Sequence, residues 1–100
     1  MATVEVHEKL REEIDDGDSK TRKLFEKQKK FMELNPYYPS LGRRKLENVY
    51  DRYGNNLWEI RLDLHRRIVF IEKNEYTFIW LKICRHDEIK RKNVIAIDEY

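Results

Sequence analysis

The sequence predicts an α+β domain in which two N-terminal helices pack on one face of a small, mainly antiparallel, four- to five-stranded twisted sheet. Three observations carry this expectation. Between Ser19 and Asn35 apolar residues recur at the helical period, as Leu24, Phe25, Phe31, Met32 and Leu34. From Leu57 to Leu64 they alternate, with Trp58, Ile60, Leu62 and Leu64 on one face and Glu59, Arg61 and Asp63 on the other. Two further apolar runs, Arg67 to Glu72 and Tyr76 to Ile83, follow through the short connections His65-Arg66 and Lys73-Asn74, which makes a meander.

Taken in order, Thr3 to His7 alternates around two valines and reads as a short strand. Leu10 and Ile14 stand four apart among charges, which predicts a short helix from Glu8 to Asp15 ended by Asp16-Gly17. Asp18 or Ser19 can cap the second helix, and Pro36 stops it near Asn35 by disfavouring the α region for the residue before it. The segment Pro36 to Gly42 holds both prolines of the chain and forms an ordered turn. Arg43 to Val49 is a short strand and Asp51 to Asn56 a polar loop. In the strand that follows, one face is core and one is wet. The run from Tyr76 to Ile83 is apolar on both faces at most positions, which suits a central strand covered on both sides. Arg85 to Lys92 can form a short helical turn, and residues 93–100, with Val94 to Ile97, a tail or an edge strand. The second helix is expected to lay Leu24, Phe25, Phe31 and Met32 on the sheet and to bury Trp58 and Trp80, so that Phe31→Ala costs roughly 3 to 5 kcal/mol.

One hundred residues form one domain, 1–100, because two separate cores would be too small to offset chain entropy. Charged residues are 40% of the chain, yet 12% is aromatic, which a disordered chain would lack. Cys84 is the single cysteine and lies in an apolar run, so no intramolecular disulfide can form and a buried small hydrophobe in a reducing compartment is the reading. No stretch approaches the roughly 20 apolar residues of a membrane span, and the N-terminus carries no basic-then-apolar leader, so the expectation is a cytoplasmic protein without a membrane partner. Gly-rich phosphate loops, CxxC pairs, HExxH and GxSxG are absent, and His7, His65 and His86 lack a metal-ligand spacing. No cofactor and no metal are called for.

Charge is unevenly placed. Residues 1–42 hold eight Lys/Arg against nine Asp/Glu, a net −1; residues 43–92 hold thirteen against eight, a net +5; residues 93–100 carry Asp98 and Glu99, a net −2. The middle segment attracts polyanions more than the total of +2 suggests. Its cations fall at strand ends: Arg43, Arg44 and Lys45; Arg61, His65, Arg66 and Arg67; Lys82, Arg85 and His86; and Lys90, Arg91 and Lys92. Guanidinium groups bind phosphates bidentately, and a histidine exchanges a proton near neutral pH. Arg43, Arg44, Arg61, Lys82, Lys90 and Arg91 are therefore candidate contacts to the phosphates of a polyanion, which are RNA phosphates if the resemblance given next applies. The alternative is that Arg61 pairs with Glu59 or Asp63 and does nothing more.

The order of segments, with Leu34-Asn35-Pro36-Tyr37-Tyr38-Pro39-Ser40-Leu41, Arg44-Lys45-Leu46, Leu57-Trp58-Glu59-Ile60-Arg61, His65-Arg66-Arg67-Ile68-Val69-Phe70 and Arg85-His86-Asp87-Glu88, resembles the RelE/ParE superfamily of toxins from type II toxin–antitoxin pairs. The resemblance covers about Leu24 to Lys92. It implies a RelE-like fold, a cognate antitoxin protein as partner, and one of two activities. RelE-like members cleave messenger RNA on the ribosome; ParE-like members inhibit DNA gyrase. In the ribonuclease branch the matching residues would be Lys45, Arg67, Arg85 and His86, with a ribose 2′-OH attacking the adjacent phosphate. His86 is then the acid or base, His65 the second candidate, Arg67 and Arg85 stabilise phosphate charge, and Lys45 anchors a phosphate or partners the base. Arg67 is preferred to Arg66 because the alternation through Ile68 and Phe70 sets it opposite the core face. Many ribonuclease members carry Tyr shortly after the basic pair, where this chain has Ile89 and Lys90. Messenger RNA, with or without the ribosome, is the expected substrate; the alternative is a non-catalytic binder, either a gyrase inhibitor or a degenerate toxin that only binds its antitoxin.

Overall fold

The computed structural model describes residues 1–87. Its elements are β1 (Thr3–Val6), α1 (Glu8–Asp16), α2 (Ser19–Leu34), a single 3-10 turn (Pro39–Leu41), β2 (Arg44–Tyr50), β3 (Asn56–Arg61), β4 (Arg66–Asn74) and β5 (Thr77–Arg85). The strands make one five-stranded sheet in the order β1-β5-β4-β3-β2. β2 to β5 are antiparallel neighbours, and β1 adds to β5 in parallel. The α+β architecture with two helices and a mainly antiparallel sheet is as the sequence predicts. No helix among the described residues is long and apolar enough to cross a membrane.

Local chemistry sets the helix ends. His7 Nδ1 accepts from the Lys9 N–H at 3.1 Å and caps α1. Asp18, not Ser19, caps α2: its Oδ1 accepts from the Thr21 N–H at 2.6 Å, answering one of the donors a helix start leaves free. Asn35 ends α2 in an extended conformation before Pro36, and its Oδ1 accepts from the Tyr37 N–H. Gly42 follows the 3-10 turn with φ +60°, a left-handed conformation that glycine adopts at little cost.

One core lies between the helices and the sheet, where Phe25, Met32, Ile60, Ile68, Phe70, Phe78 and Trp80 are fully enclosed. Trp80 is gripped from α2, with its Nε1 3.1 Å from Met32 Sδ and its ring edge-on to Phe25 at 5.1 Å. Trp58, expected to be buried like Trp80, is only half-buried, because it stands on β3 beside the edge strand β2. Phe31 and Leu24 are half-buried too, and Leu34 is exposed. The inward stripe of α2 is thus Thr21, Phe25, Gln28 and Met32, with Leu24 and Phe31 on its flanks. Phe31 stacks flat on Tyr38 at 4.9 Å instead of entering the core. Phe31→Ala should consequently cost about half of the 3 to 5 kcal/mol that deleting a fully buried phenylalanine costs. Urea midpoints of Phe31→Ala and Phe25→Ala, compared side by side, check the difference.

The opposite sheet face carries a second core that the β3 alternation did not foretell: Leu46, Val49, Leu57, Val69, Ile71, Leu81 and Cys84, all buried. Leu57 and Glu59 point into it, so the face expected to be wet is dry at both positions. Leu64, expected on the core face, is 79% exposed, because β3 ends at Arg61 and residues 62–65 form a turn that carries Leu64 to its tip. Leu81 and Lys82 form a bulge in β5, since Val69 pairs with Lys82 and Phe70 already with Trp80. The helical turn expected from Arg85 to Lys92 is present at His86 and Asp87, and the remainder, with Val94 to Ile97, lies outside the described residues.

Candidate nucleic-acid interface

Strand register gathers basic residues at one end of the sheet. Arg61 is the direct partner of Arg67 across β3 and β4, and Arg66 is the partner of Arg85 across β4 and β5. The turn between β3 and β4 is fixed by Asp63, whose Oδ1 accepts from the N–H groups of His65 at 3.0 Å and Arg66 at 2.8 Å. The His65 carbonyl in turn accepts the His86 N–H at 2.8 Å, where β5 passes into the helical turn. Arg61, His65, Arg66, Arg67, Arg85 and His86 therefore share one corner, although they span 26 positions of sequence.

Like charges directly opposite on neighbouring strands repel, so such a corner needs compensation. Two carboxylates supply part of it. Asp63 takes Arg66, with Nε at 2.9 Å and Nη2 at 2.7 Å from Oδ2, and Arg66 also donates to Thr21 Oγ1 at 3.0 Å. Arg66 is thereby tied to α2 on the helix side, as its parity with the core residues implied. Glu59 takes Arg67 on the opposite side, at 3.5 Å, and Arg44 at 3.3 Å. Arg67 also donates to the carbonyls of Asp63 at 3.0 Å and Arg66 at 3.1 Å. Arg61 is exposed and has no ion pair among the described residues, so neither Glu59 nor Asp63 claims it. Gln28 donates to the Arg61 carbonyl at 2.6 Å, which anchors the end of β3 to α2 and leaves the guanidinium outside.

Glu59 is the residue sequence reasoning missed. Its side chain is 4% exposed, its Oε1 lies between two arginines, and its Oε2 is buried without a hydrogen-bond partner. The signal was the apolar character of Leu57, Val69 and Ile71 at the same parity, which marks that face as dry. A carboxylate enclosed there must be paired, and arginine is the residue type suited to it. His86 Nδ1 is likewise buried without a partner, while the imidazole as a whole is half-buried.

The other candidates spread over the sheet. Arg44 is mostly exposed and bonds Glu59 from the edge strand. Lys82 is half-buried opposite Val69, on the Glu59 side. Arg85 is exposed at the end of β5, and as the direct partner of Arg66 it lies by the same pleat on the helix side, away from Arg67. Lys45 is exposed but pairs with Trp58, so the pleat sets it on the helix side, away from Arg67. Arg43 turns inward: its guanidinium ion-pairs with Glu72 and sits 4.6 Å from the Tyr37 ring and 4.7 Å from the Trp58 ring. Burial lowers the Arg43 pKa from its ordinary value, against an opposing effect of Tyr37. Lys90 and Arg91 lie outside the described residues.

Asp63 gives this corner a pH signature. Burial pushes its carboxyl pKa up, but hydrogen bonds from the Arg66 side chain and from the Arg66 and His65 N–H groups, with the Arg66 charge, outweigh it and hold the pKa below the ordinary 3.8. A depressed carboxylate pKa contributes stability that is present above 3.8 and is lost as the pH falls through the lower folded value. Asp63→Asn should therefore be less stable than the parent at pH 7, and the gap should close in the acid region below 3.8. Urea unfolding across that range measures it; a constant gap would remove the ionised carboxylate as the cause.

Comparison of the chain with protein-family models, with curated proteins and with solved structures gives no match.

Proposed function

We propose that the chain is the toxin of a type II toxin–antitoxin pair, with a RelE-like fold, and that it cleaves messenger RNA. The supporting observation is the end of the sheet to which three strands and two turns bring Arg61, Arg67, Arg85, His65 and His86. Phosphate binding needs guanidinium groups close together, and the paired strands and the Asp63 turn fix the backbone positions from which they extend. In the proposed reaction the ribose 2′-OH loses its proton as its oxygen attacks the adjacent phosphorus. The bond to the 5′-oxygen then breaks, and that oxygen takes up a proton. His86 transfers the proton, with His65 as the neighbouring candidate, and Arg61 and Arg85 offset charge on the phosphorane. Arg67 and Glu59 hold the corner's geometry. An antitoxin would neutralise the same cations with acidic side chains.

A second reading, a non-catalytic binder of the same fold, is favoured by one feature: Arg43, Arg66 and Arg67 are taken up by intramolecular partners, which leaves fewer cations for RNA. Brief expression followed by analysis of transcript ends separates the two. Cleavage leaves 2′,3′-cyclic or 3′-phosphate ends. Growth arrest with intact transcripts, and no cleavage of purified RNA with or without ribosomes, would replace the ribonuclease by the binder.

A further inference from the structure

We propose that the outer face of α2, from Lys23 to Leu34, is a docking site for an acidic amphipathic helix of a partner protein. The inference goes beyond the RNA-directed reading and uses none of the residues of the arginine corner. Opposite the inward stripe of Thr21, Phe25, Gln28 and Met32, the helix carries Lys20, Lys23, Lys27, Lys30 and Leu34, whose spacing of three and four sets them in one row. A hollow of about 490 Å³ follows this row, lined by Lys23, Lys27, Lys30, Phe31 and Leu34, with Glu26 beside them.

Folding does not account for this surface. Leu34 is 67% exposed at the end of the helix, and Phe31 is a half-buried ring stacked at 4.9 Å on Tyr38, which is exposed as well. Single exposed apolar side chains are ordinary, but an apolar patch rimmed by charge marks an interaction site. Lysines three or four apart on a helix repel one another and weaken it. None of Lys23, Lys27 and Lys30 has an ion pair among the described residues, whereas on the neighbouring flank Glu26 is taken by Arg11 at 3.3 Å and Lys29 pairs with Glu33 at 3.0 Å. The row is left with positive charge that the fold does not offset.

The same chemistry chooses the occupant. The uncompensated lysines call for carboxylates, and Phe31 with Leu34 calls for apolar side chains among them. Because α2 satisfies its own backbone hydrogen bonds, this surface offers no edge to which an extended chain could add, and a helix is the element that can lie along it. From Lys23 to Leu34 the row rises about 17 Å, which matches a partner helix with apolar anchors at i, i+3 or i+4 and i+7. A second copy of the chain fits less well. Its acidic helix α1 exposes Glu8, Glu12, Glu13, Asp15 and Asp16, while Leu10 and Ile14 are already buried in its own core. A nucleic acid would also be drawn to the lysines, but its sugar–phosphate backbone brings nothing apolar to Leu34. Phe31, stacked on Tyr38 with the Lys27 ammonium 5.8 Å from its ring centre, is not free to take a base.

Amide NMR titration of the full isotope-labelled chain tests the proposal. The probes are helix-stapled peptides about 18 residues long, long enough to hold the helix in water. One carries leucine anchors at i, i+3 and i+7 flanked by glutamates, one is its scrambled counterpart, and one has lysine in place of each glutamate. A 2′-O-methyl oligouridine serves as the nucleic-acid probe. The acidic amphipathic peptide should shift the amides of Lys23 to Leu34 and bind about tenfold or more tighter than the scrambled and lysine peptides. Leu34→Glu, at an exposed position, should weaken it about tenfold. Lys23→Glu combined with Lys27→Glu should reverse the preference, so that the lysine peptide binds tighter than the acidic one, which a mere loss of structure would not produce. Circular dichroism confirms that each variant is folded, and RNA cleavage by the parent is scored separately, so failure of the ribonuclease reading and failure of this one are told apart. Equal binding of the acidic and scrambled peptides, shifts centred elsewhere, or unchanged affinity in Leu34→Glu overturns the docking site. So does a larger, salt-dependent response of the same amides to the oligouridine, which would make the face a nucleic-acid surface, or a dimer in sedimentation that Leu34→Glu dissociates, which would make the occupant a second copy.

Discussion

His86→Ala should lower the rate of RNA cleavage by about 10² to 10⁴, the usual cost of removing a proton-transfer group, with the thermal unfolding midpoint close to the parental value. The two halves of this expectation have separate structural grounds. His86 is anchored through its backbone N–H to the His65 carbonyl, a bond that alanine keeps. Its Nδ1 is buried without a hydrogen-bond partner, so truncation leaves no polar group stranded. Loss of activity with retained fold would accordingly report the imidazole itself. His86→Gln, which keeps hydrogen-bonding capacity but cannot transfer a proton at neutral pH, should be equally slow. His65→Ala should have the smaller effect if His86 is the principal group. Transcript cleavage and growth arrest at the parental rate in His86→Ala would place proton transfer elsewhere.

Where the fold was legible in sequence, local rules decided it. The stop of α2 before Pro36, the cap at Asp18 and the paired runs of β4 and β5 all depend on residues a few positions apart. The choice of Arg67 over Arg66 for the face away from the helices also followed from strand parity alone. What escaped is non-local. The parallel pairing of Thr3–Val6 with residues 77–80 joins the ends of the described chain and leaves no nearby trace. Glu59 looked like a wet-face residue because its charge outweighed Leu57 in the pattern, whereas burial was set by Val69 and Ile71 from the next strand. Arg43 looked like a surface cation, and only the meeting of Tyr37, Trp58 and Glu72 turns it inward. In each case an ordinary side-chain preference gave way to partners that the sheet and the turn assemble.

Arg67→Ala should lower stability by about 3 to 5 kcal/mol, which makes it a test of architecture before it is a test of chemistry. Its removal leaves Glu59, a carboxylate 4% exposed, with one cation in place of two, the mostly exposed Arg44 that donates to it at 3.3 Å. It also takes the guanidinium donor from the carbonyls of Asp63 and Arg66. Arg67→Lys should recover part of the loss, since an ammonium supplies charge but not a planar fork that reaches two carbonyls and a carboxylate together. Glu59→Leu combined with Arg67→Met should recover most of it, because replacing both members of a buried pair by apolar groups removes the uncompensated charge. Urea midpoints of Glu59→Leu alone, Arg67→Met alone and the double variant give the coupling directly, and a near-zero coupling would mean that the pair is not what holds this face. The double variant then isolates function. Folded, with an apolar pair in place of the ion pair that held this face, it should still cut RNA if Arg61 and Arg85 carry the phosphorane charge, and should remain at least about 10²-fold slower if the Arg67 guanidinium acts on the phosphorane itself.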